Sequence, residues 1–300
     1  MPPPVAKQRA TDIIAAVRAA LARDDYLKAK RLAEGFRDRN GATPEALEAL
    51  SWIARGALAA HRLREALEYA RQTHRLAVRH LRRASLDSEP RLAAALGASI
   101  EVLAQAMEKG GRRAEAIGFL KRQIAKFGDT TIHTRIRKNL NLLVMEGQPA
   151  PELECREWLG PKPRSLLQLR GRPVLLFFWA HYCDDSRAQA RALARIRKRS
   201  GPAGLALLGA TRRYGYLDEH RTEPVGPRRE RQHIKQVLRT YYHDLPDMPV
   251  IISGRNFVTY GASTTPTLVL VDRSGVVSLY HPGKMSYSEV ADHVKALLDK

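Results

Sequence analysis

Gly171-Arg-Pro-Val-Leu-Leu-Phe-Phe-Trp-Ala-His-Tyr-Cys-Asp-Asp-Ser-Arg-Ala-Gln-Ala190 joins two opposite patterns end to end. From Pro173 to Ala180 every residue is apolar, and the run is rich in β-formers. The run is too short to span a bilayer, which takes about 20 apolar residues. It reads as a strand buried on both faces. The run stops at His181-Tyr182-Cys183. Asp184 and Asp185 then open an Ala-, Arg- and Leu-rich segment with acids in its first turn, a good helix by propensity and by its fit to the macrodipole. Cys183 therefore stands where a buried strand turns into a helix N-terminus, the position at which a thiolate gains most from free backbone N–H groups.

Working outward, the 300 residues leave room for two domains, and 44% hydrophobic content allows each a core. The net charge of +20 suggests nucleic acid at first sight. However, 27 of the 51 Lys and Arg fall in residues 1–150, beside 16 of the 31 Asp and Glu, so the excess is spread over both halves. A nucleic-acid footprint is a localised patch, and none is predicted here; a basic composition overall or attraction to acidic partners explains the charge as well. Two cysteines, Cys155 and Cys183, exclude a disulfide framework. The leader Met1-Pro-Pro-Pro-Val-Ala-Lys-Gln-Arg9 has no apolar core of a secretory signal. The expectation is a soluble cytoplasmic protein without a transmembrane segment. A processed or different N-terminus would make a periplasmic location the alternative.

Residues 11 to about 145 read as helix, broken at Asp24-Asp25, Asn40-Gly-Ala-Thr-Pro44, Leu86-Asp-Ser88 and Gly110-Gly111. A small-residue pattern recurs. Ile100, Leu103-Ala104, Met107, Gly111 and Ala116 fall near the spacing of a tetratricopeptide hairpin, Leu50, Ile53-Ala54, Ala57 and Ala66 echo it, and Ile13, Ala16, Ala20 and Ala29 do so more faintly. Equating Ala29, Ala66 and Ala116 gives spacings of 37 and 50, not a fixed period of about 34. Two readings fit: a tetratricopeptide-like scaffold for a partner peptide or protein, or a plain antiparallel bundle whose alanines permit close packing.

At Glu146-Gly-Gln-Pro-Ala-Pro-Glu152 this composition ends, which divides the chain into 1–147 and 148–300. Beyond it, strands are predicted over 174–180, 205–210, 249–253, 267–272 and 276–281. Helices are predicted over 184–199, 229–242 and 286–298, with a short turn over 256–260. The Asp272-Arg-Ser-Gly275 turn joins the last two strands as an antiparallel hairpin. A mixed sheet with a C-terminal hairpin and a closing helix is the thioredoxin arrangement, so the predicted fold class is α-helical followed by α/β.

Three motifs carry a family resemblance. Pro149-Ala-Pro-Glu-Leu153 resembles the opening segment of TlpA-like and AhpC/TSA-type redoxins, and Val174 to Ser186 resembles their strand, Cys-x-x-Cys loop and helix. Tyr260-Gly-Ala-Ser-Thr-Thr-Pro-Thr-Leu-Val-Leu-Val-Asp-Arg-Ser-Gly275 resembles their segment with a cis-proline. The resemblance covers residues 149–300. It implies a thioredoxin-like fold, Cys183 as attacking thiol, and Tyr182, Thr265 and cis Pro266 beside it to receive substrate.

The departure is Ser186, where the family has its second cysteine. In a Cys-x-x-Cys enzyme that second thiolate attacks the mixed disulfide and releases product; a hydroxyl does not, so the internal release step is missing. Ser186 is instead expected to donate a hydrogen bond to the Cys183 sulfur. Nothing places Cys155 within the ~7 Å Cα separation a disulfide needs, and it reads as a small hydrophobe. Asp184 and Asp185 put like charge beside the sulfur while the helix terminus opposes it, a balance the sequence leaves open. His181 reads either as a base sharing a face with Cys183 or, the expectation, as a loop histidine facing solvent. The threonine that a one-cysteine peroxidase needs before its cysteine is Ala180 here, which leaves that activity unsupported. Arg212-Arg-Tyr-Gly-Tyr216 and Tyr241-Tyr242 fall at the strand ends, either lining a groove or, the expectation, packing ordinarily. His220, His233, His243 and His281 have no ligand spacing, and His181-x-Cys183 offers too few ligands for a metal. The sequence therefore predicts a monothiol thiol–disulfide oxidoreductase without metal or cofactor. It would act on protein or low-molecular-weight disulfides, with a protein partner on the helical half. The alternative is a redox-silent binding protein of the same fold.

Overall fold

The computed structural model describes residues 10–81, 85–218 and 223–299; the expectations placed on the leader and on His220 lie outside them. The chain divides into two compact units, Met1–Asn139 and Leu140–Lys300. The division falls inside a helix, upstream of the composition break at Gln148, because Met145 is already part of the second unit's core.

The first unit is built from α1 (Ala10–Ala22), α2 (Tyr26–Asn40), α3 (Pro44–Ala59), α4 (Leu63–His80), α5 (Pro90–Lys109) and α6 (Arg113–Phe127), and α7 (His133–Val144) crosses the division. The first six form three equivalent hairpins. Each first helix ends two residues before a left-handed residue, Asp24, His61 or Gly111, and each second helix starts two residues after it. In all three the next amide closes on a carbonyl five residues back: Asp25 on Ala20, Arg62 on Ala57, Arg112 on Met107, at 2.8–3.0 Å. This is the six-to-one bond of a Schellman stop. Ala29, Ala66 and Ala116 each occupy the fourth position of their helix and are fully buried. Ile13, Leu50 and Ile100, each sixteen residues earlier, are buried too. The repeat is thus constant within a hairpin and irregular only in the connections. The first helices pack in series, α1 on α3 and α3 on α5.

The second unit holds β1 (Trp158–Leu159), β2 (Val174–Phe178), α8 (Asp184–Ser200), β3 (Ala206–Thr211), α9 (Pro227–Tyr241), β4 (Val250–Ile252), α10 (Gly254–Thr259), β5 (Thr267–Val271), β6 (Val277–Pro282) and α11 (Tyr287–Leu298). The six strands lie in the order β1-β4-β3-β2-β5-β6. β3 runs parallel to β2 and to β4, whereas β5 is antiparallel to β2, β6 to β5 and β1 to β4. β2 is central and buried on both faces. Leu175 and Phe177 join the core under α8, α9 and α11, while Val174, Leu176 and Phe178 join the opposite core with Phe257 of α10. Fully burying each such side chain contributes about 1.5–3 kcal/mol. The Asp272 carboxylate accepts from the amides of Ser274 and Val276, and Gly275 takes φ 86°, which closes the β5–β6 hairpin. β1 is an addition to the predicted strands: two residues carry no periodicity, and only pairing with β4 defines it.

Candidate active site

β2 and α8 deliver the cysteine. The strand ladder ends at Phe178, and Cys183, in extended conformation at φ −85° and ψ 117°, is the N-cap of α8. The amides of the first turn have no acceptor within the helix and point toward the cap. The half-buried Cys183 Sγ donates to the Thr265 carbonyl at 3.2 Å, and the Thr265–Pro266 peptide bond is cis. Sequence motifs 82 residues apart thus meet at one sulfur.

The acid pair beside it is neutralised. Arg187 binds Asp184 at 3.0 Å and, through its other terminal nitrogen, the His181 carbonyl at 2.8 Å. Lys284, from the loop after β6, reaches Asp185 at 2.8 Å, which raises the lysine pKa. The next residue, Met285, donates its amide to Gln189 of α8 at 2.9 Å. Lys284 is a site residue with no signal in the local sequence, since only the register of β6 brings it to the start of α8. Pairs this exposed contribute little to stability; their consequence is to offset negative charge near the sulfur.

His181 does not face solvent. It is fully buried, with Nε2 on the Tyr216 carbonyl at 2.8 Å and its ring edge-on to Tyr182, Tyr214 and His233. Burial lowers its pKa despite the Tyr216 carbonyl and Glu230. Its ring is taken up by this cluster, and among the described residues no hydrogen bond links it to the Cys183 sulfur. The expectation failed because an apolar pocket formed by the distant segment 212–216 folds over the loop.

That segment forms an aromatic wall. Tyr182, Tyr214 and Tyr216 lie 5.0–5.9 Å apart by ring centroid, with the Arg212 guanidinium 4.6 Å from the Tyr214 ring centre. The buried Glu230 carboxylate of α9 anchors it, accepting from the amides of Tyr214 and Gly215. Tyr182 and Tyr214 are pushed above the ordinary tyrosine pKa by burial, so both rings stay neutral. Of the other pair, Tyr242 is core against Phe177 and Trp179, while Tyr241 is exposed beneath Arg187.

Ser186 is fully buried one turn into α8, and its hydroxyl accepts from the Ala180 amide at 3.4 Å. Among the described residues it makes no hydrogen bond to the Cys183 sulfur. Cys155 packs on the core with Sγ 3.4 Å from the Leu153 carbonyl, and burial with Glu152 and Glu154 pushes its thiol up.

No family model matches the chain. Among solved structures it is similar to a thioredoxin-family thiol:disulfide interchange protein from Chlorobium tepidum TLS, 21% identical, covering 51% of this chain and 97% of that one at a TM-score of 0.40. It is also similar to the exposed lipoprotein thioredoxin Etrx1 of Streptococcus pneumoniae strain TIGR4, 24% identical, covering 49% and 100% at 0.38. Among curated proteins it is similar to the thioredoxin-like protein YneN of Bacillus subtilis (strain 168), 27% identical over 150 residues, 49% of this chain and 77% of that protein. The sheet order described above and the likeness to YneN give a thioredoxin-like fold over about half the chain.

Proposed function

We propose that the thioredoxin-like half of this chain is a thiol–disulfide oxidoreductase working through one cysteine, Cys183, and that the helical half is a tetratricopeptide-like scaffold for a protein partner. The observation that carries the first part is the position of the Cys183 sulfur, at the N-cap of α8 and 3.2 Å from the Thr265 carbonyl. The thiol loses its proton to solvent, and the thiolate attacks one sulfur of a substrate disulfide. A Cys183–substrate disulfide forms, the substrate's own S–S bond breaks, and the second substrate sulfur leaves as a thiolate. Ser186 has no sulfur with which to resolve this adduct. An external thiolate therefore attacks it, releasing the Cys183 thiolate and carrying the substrate sulfur away in a new disulfide. Tyr182, Thr265 and Pro266 form the rim a substrate would meet. The scaffold part is supported by the three equivalent hairpins with their aligned alanines and by the series packing of α1, α3 and α5.

The test is brief, limiting iodoacetamide treatment followed by peptide mapping, repeated across pH 5 to 9. Label should concentrate on Cys183 near neutral pH and spare Cys155, whose thiol is pushed up. Equal labelling, or a Cys183 profile that rises only at strongly alkaline pH, would refute the enzyme reading and favour a redox-silent binding protein.

A further inference from the structure

Several cations of the helical unit are matched by carboxylates. Arg91 meets Glu45 and Glu48 at 3.7 and 3.1 Å, and Glu101 takes Arg135 at 2.7 Å and Lys138 at 3.2 Å. Arg18 and Arg55 differ. Among the described residues neither has a carboxylate within 4 Å, and both lie over the Trp52 ring, 4.9 and 4.4 Å from its centre. The repeat puts them at equivalent positions, five residues after Ile13 and Leu50, on helices that pack together. Both line a groove of about 810 Å³ whose walls include Ala15, Ala19, Leu21 and Ala59. The one carboxylate in that lining is the exposed Asp24 at the α1–α2 turn.

A guanidinium stacked on indole uses its face and keeps its N–H edge free, and that planar edge matches a carboxylate with two parallel bonds. Burial pushes Arg55 down to about 10, aided by Arg135 and Arg18 and opposed by Glu101 and Glu48. An arriving anion relieves that cost. A nucleic-acid strand fits less well. Binding of bases uses open aromatic faces, whereas Trp52 is already covered and the other ring in the groove, Tyr26, has Arg62 over it at 4.7 Å.

We propose that this groove binds an acidic segment of a partner protein, with a carboxylate held by Arg18 and Arg55 and a neighbouring aliphatic side chain on the alanine-rich wall beside Trp52. The inference rests on the scaffold reading of the helical unit and is independent of Cys183.

The experiment uses the full chain and fluorescence anisotropy of a fluorescein-labelled peptide of four Glu-Leu repeats. Four Lys-Leu repeats and a ten-nucleotide oligothymidylate serve as comparison probes. The acidic peptide should bind, weaken as sodium chloride rises from about 50 to 300 mM, and bind better than either comparison. Arg18→Glu and Arg55→Met should each weaken it on the order of tenfold, and Arg55→Lys less, since it keeps the charge and loses the fork. Thermal melts check folding, and Arg18 is exposed enough for its variant to fold. Glutathionylation of Cys183 should be the same in all variants, which separates this result from the thiol chemistry. Equal binding by wild type and both variants overturns the groove assignment while leaving a scaffold. No binding of the acidic peptide, or tighter binding of oligothymidylate, overturns the proposed partner.

Discussion

Ser186 is where one atom should restore a missing reaction step. It lies one helical turn past Cys183, buried against the loop it closes. Oxidised glutathione should add a single glutathione to Cys183 in the wild type, which should show little dithiothreitol-driven insulin reduction. Ser186→Cys should form an internal disulfide, read by mass spectrometry as loss of two hydrogens and one peptide linking 183 to 186, and should raise insulin turnover. Two free thiols persisting in Ser186→Cys under oxidant that glutathionylates Cys183 would mean the geometry is not that of a redoxin. His181 carries a pH prediction at the same scale. Its folded pKa is lowered below the unfolded value of about 6.5, so the unfolded chain binds more protons in that window. Stability is therefore fully present above about pH 6.5 and falls as pH drops through that value. His181→Gln should flatten the fall in melting temperature between pH 7.5 and 5 only in part, because His74, His133 and His233 shift the same way. An unchanged slope would mean His181 titrates normally.

Among the elements, α9 sets the shape of the site from a distance. Glu230, in its first turn, is a buried acceptor for two amides of the segment carrying Tyr214 and Tyr216. Glu230→Ala leaves both donors without a partner, a loss of about 1–3 kcal/mol. The expected outcome is a lower melting temperature together with faster alkylation of Cys183, as the aromatic wall beside Tyr182 loosens. A variant that melts lower but alkylates at the wild-type rate would show that the wall does not control access. α8 itself is held at its start by Gln189 and Asp185 on the loop after β6. The cysteine therefore depends on the β5–β6 hairpin as well as on its own helix.

For the whole molecule, the helical part should fold without its neighbour. Its core is made of its own alanines, leucines and isoleucines, and its three Schellman turns close locally. A fragment of residues 1–147 keeps α7 whole and should give a helical circular dichroism spectrum with a cooperative melt. A weakly helical or non-cooperative sample would make the two units one folding unit. Among the described residues no helix is long and apolar enough to cross a membrane.

The sequence by itself determined what depends on neighbours along the chain. The apolar run before Cys183 becomes a strand buried on both sides, because its length and β-formers suit a strand and its unbroken apolarity leaves no face for water. Cys183 becomes a helix N-cap because the residues after it have strong helix propensity and the strand must end. The alanines sixteen residues after Ile13, Leu50 and Ile100 marked equivalent positions despite unequal connections, since a hairpin needs a small residue where its helices approach. Tertiary structure decided what depends on register between distant segments. It brought Lys284 to Asp185, since the β5–β6 pairing sets where the following loop arrives. It turned His181 inward, because Tyr214 and Tyr216 return over it from beyond β3. It also set the Ser186 hydroxyl to accept from the Ala180 amide, a buried backbone donor that must find a partner. Side-chain partners separated by many tens of residues leave no periodic trace in the sequence, and only the packed sheet brings them together.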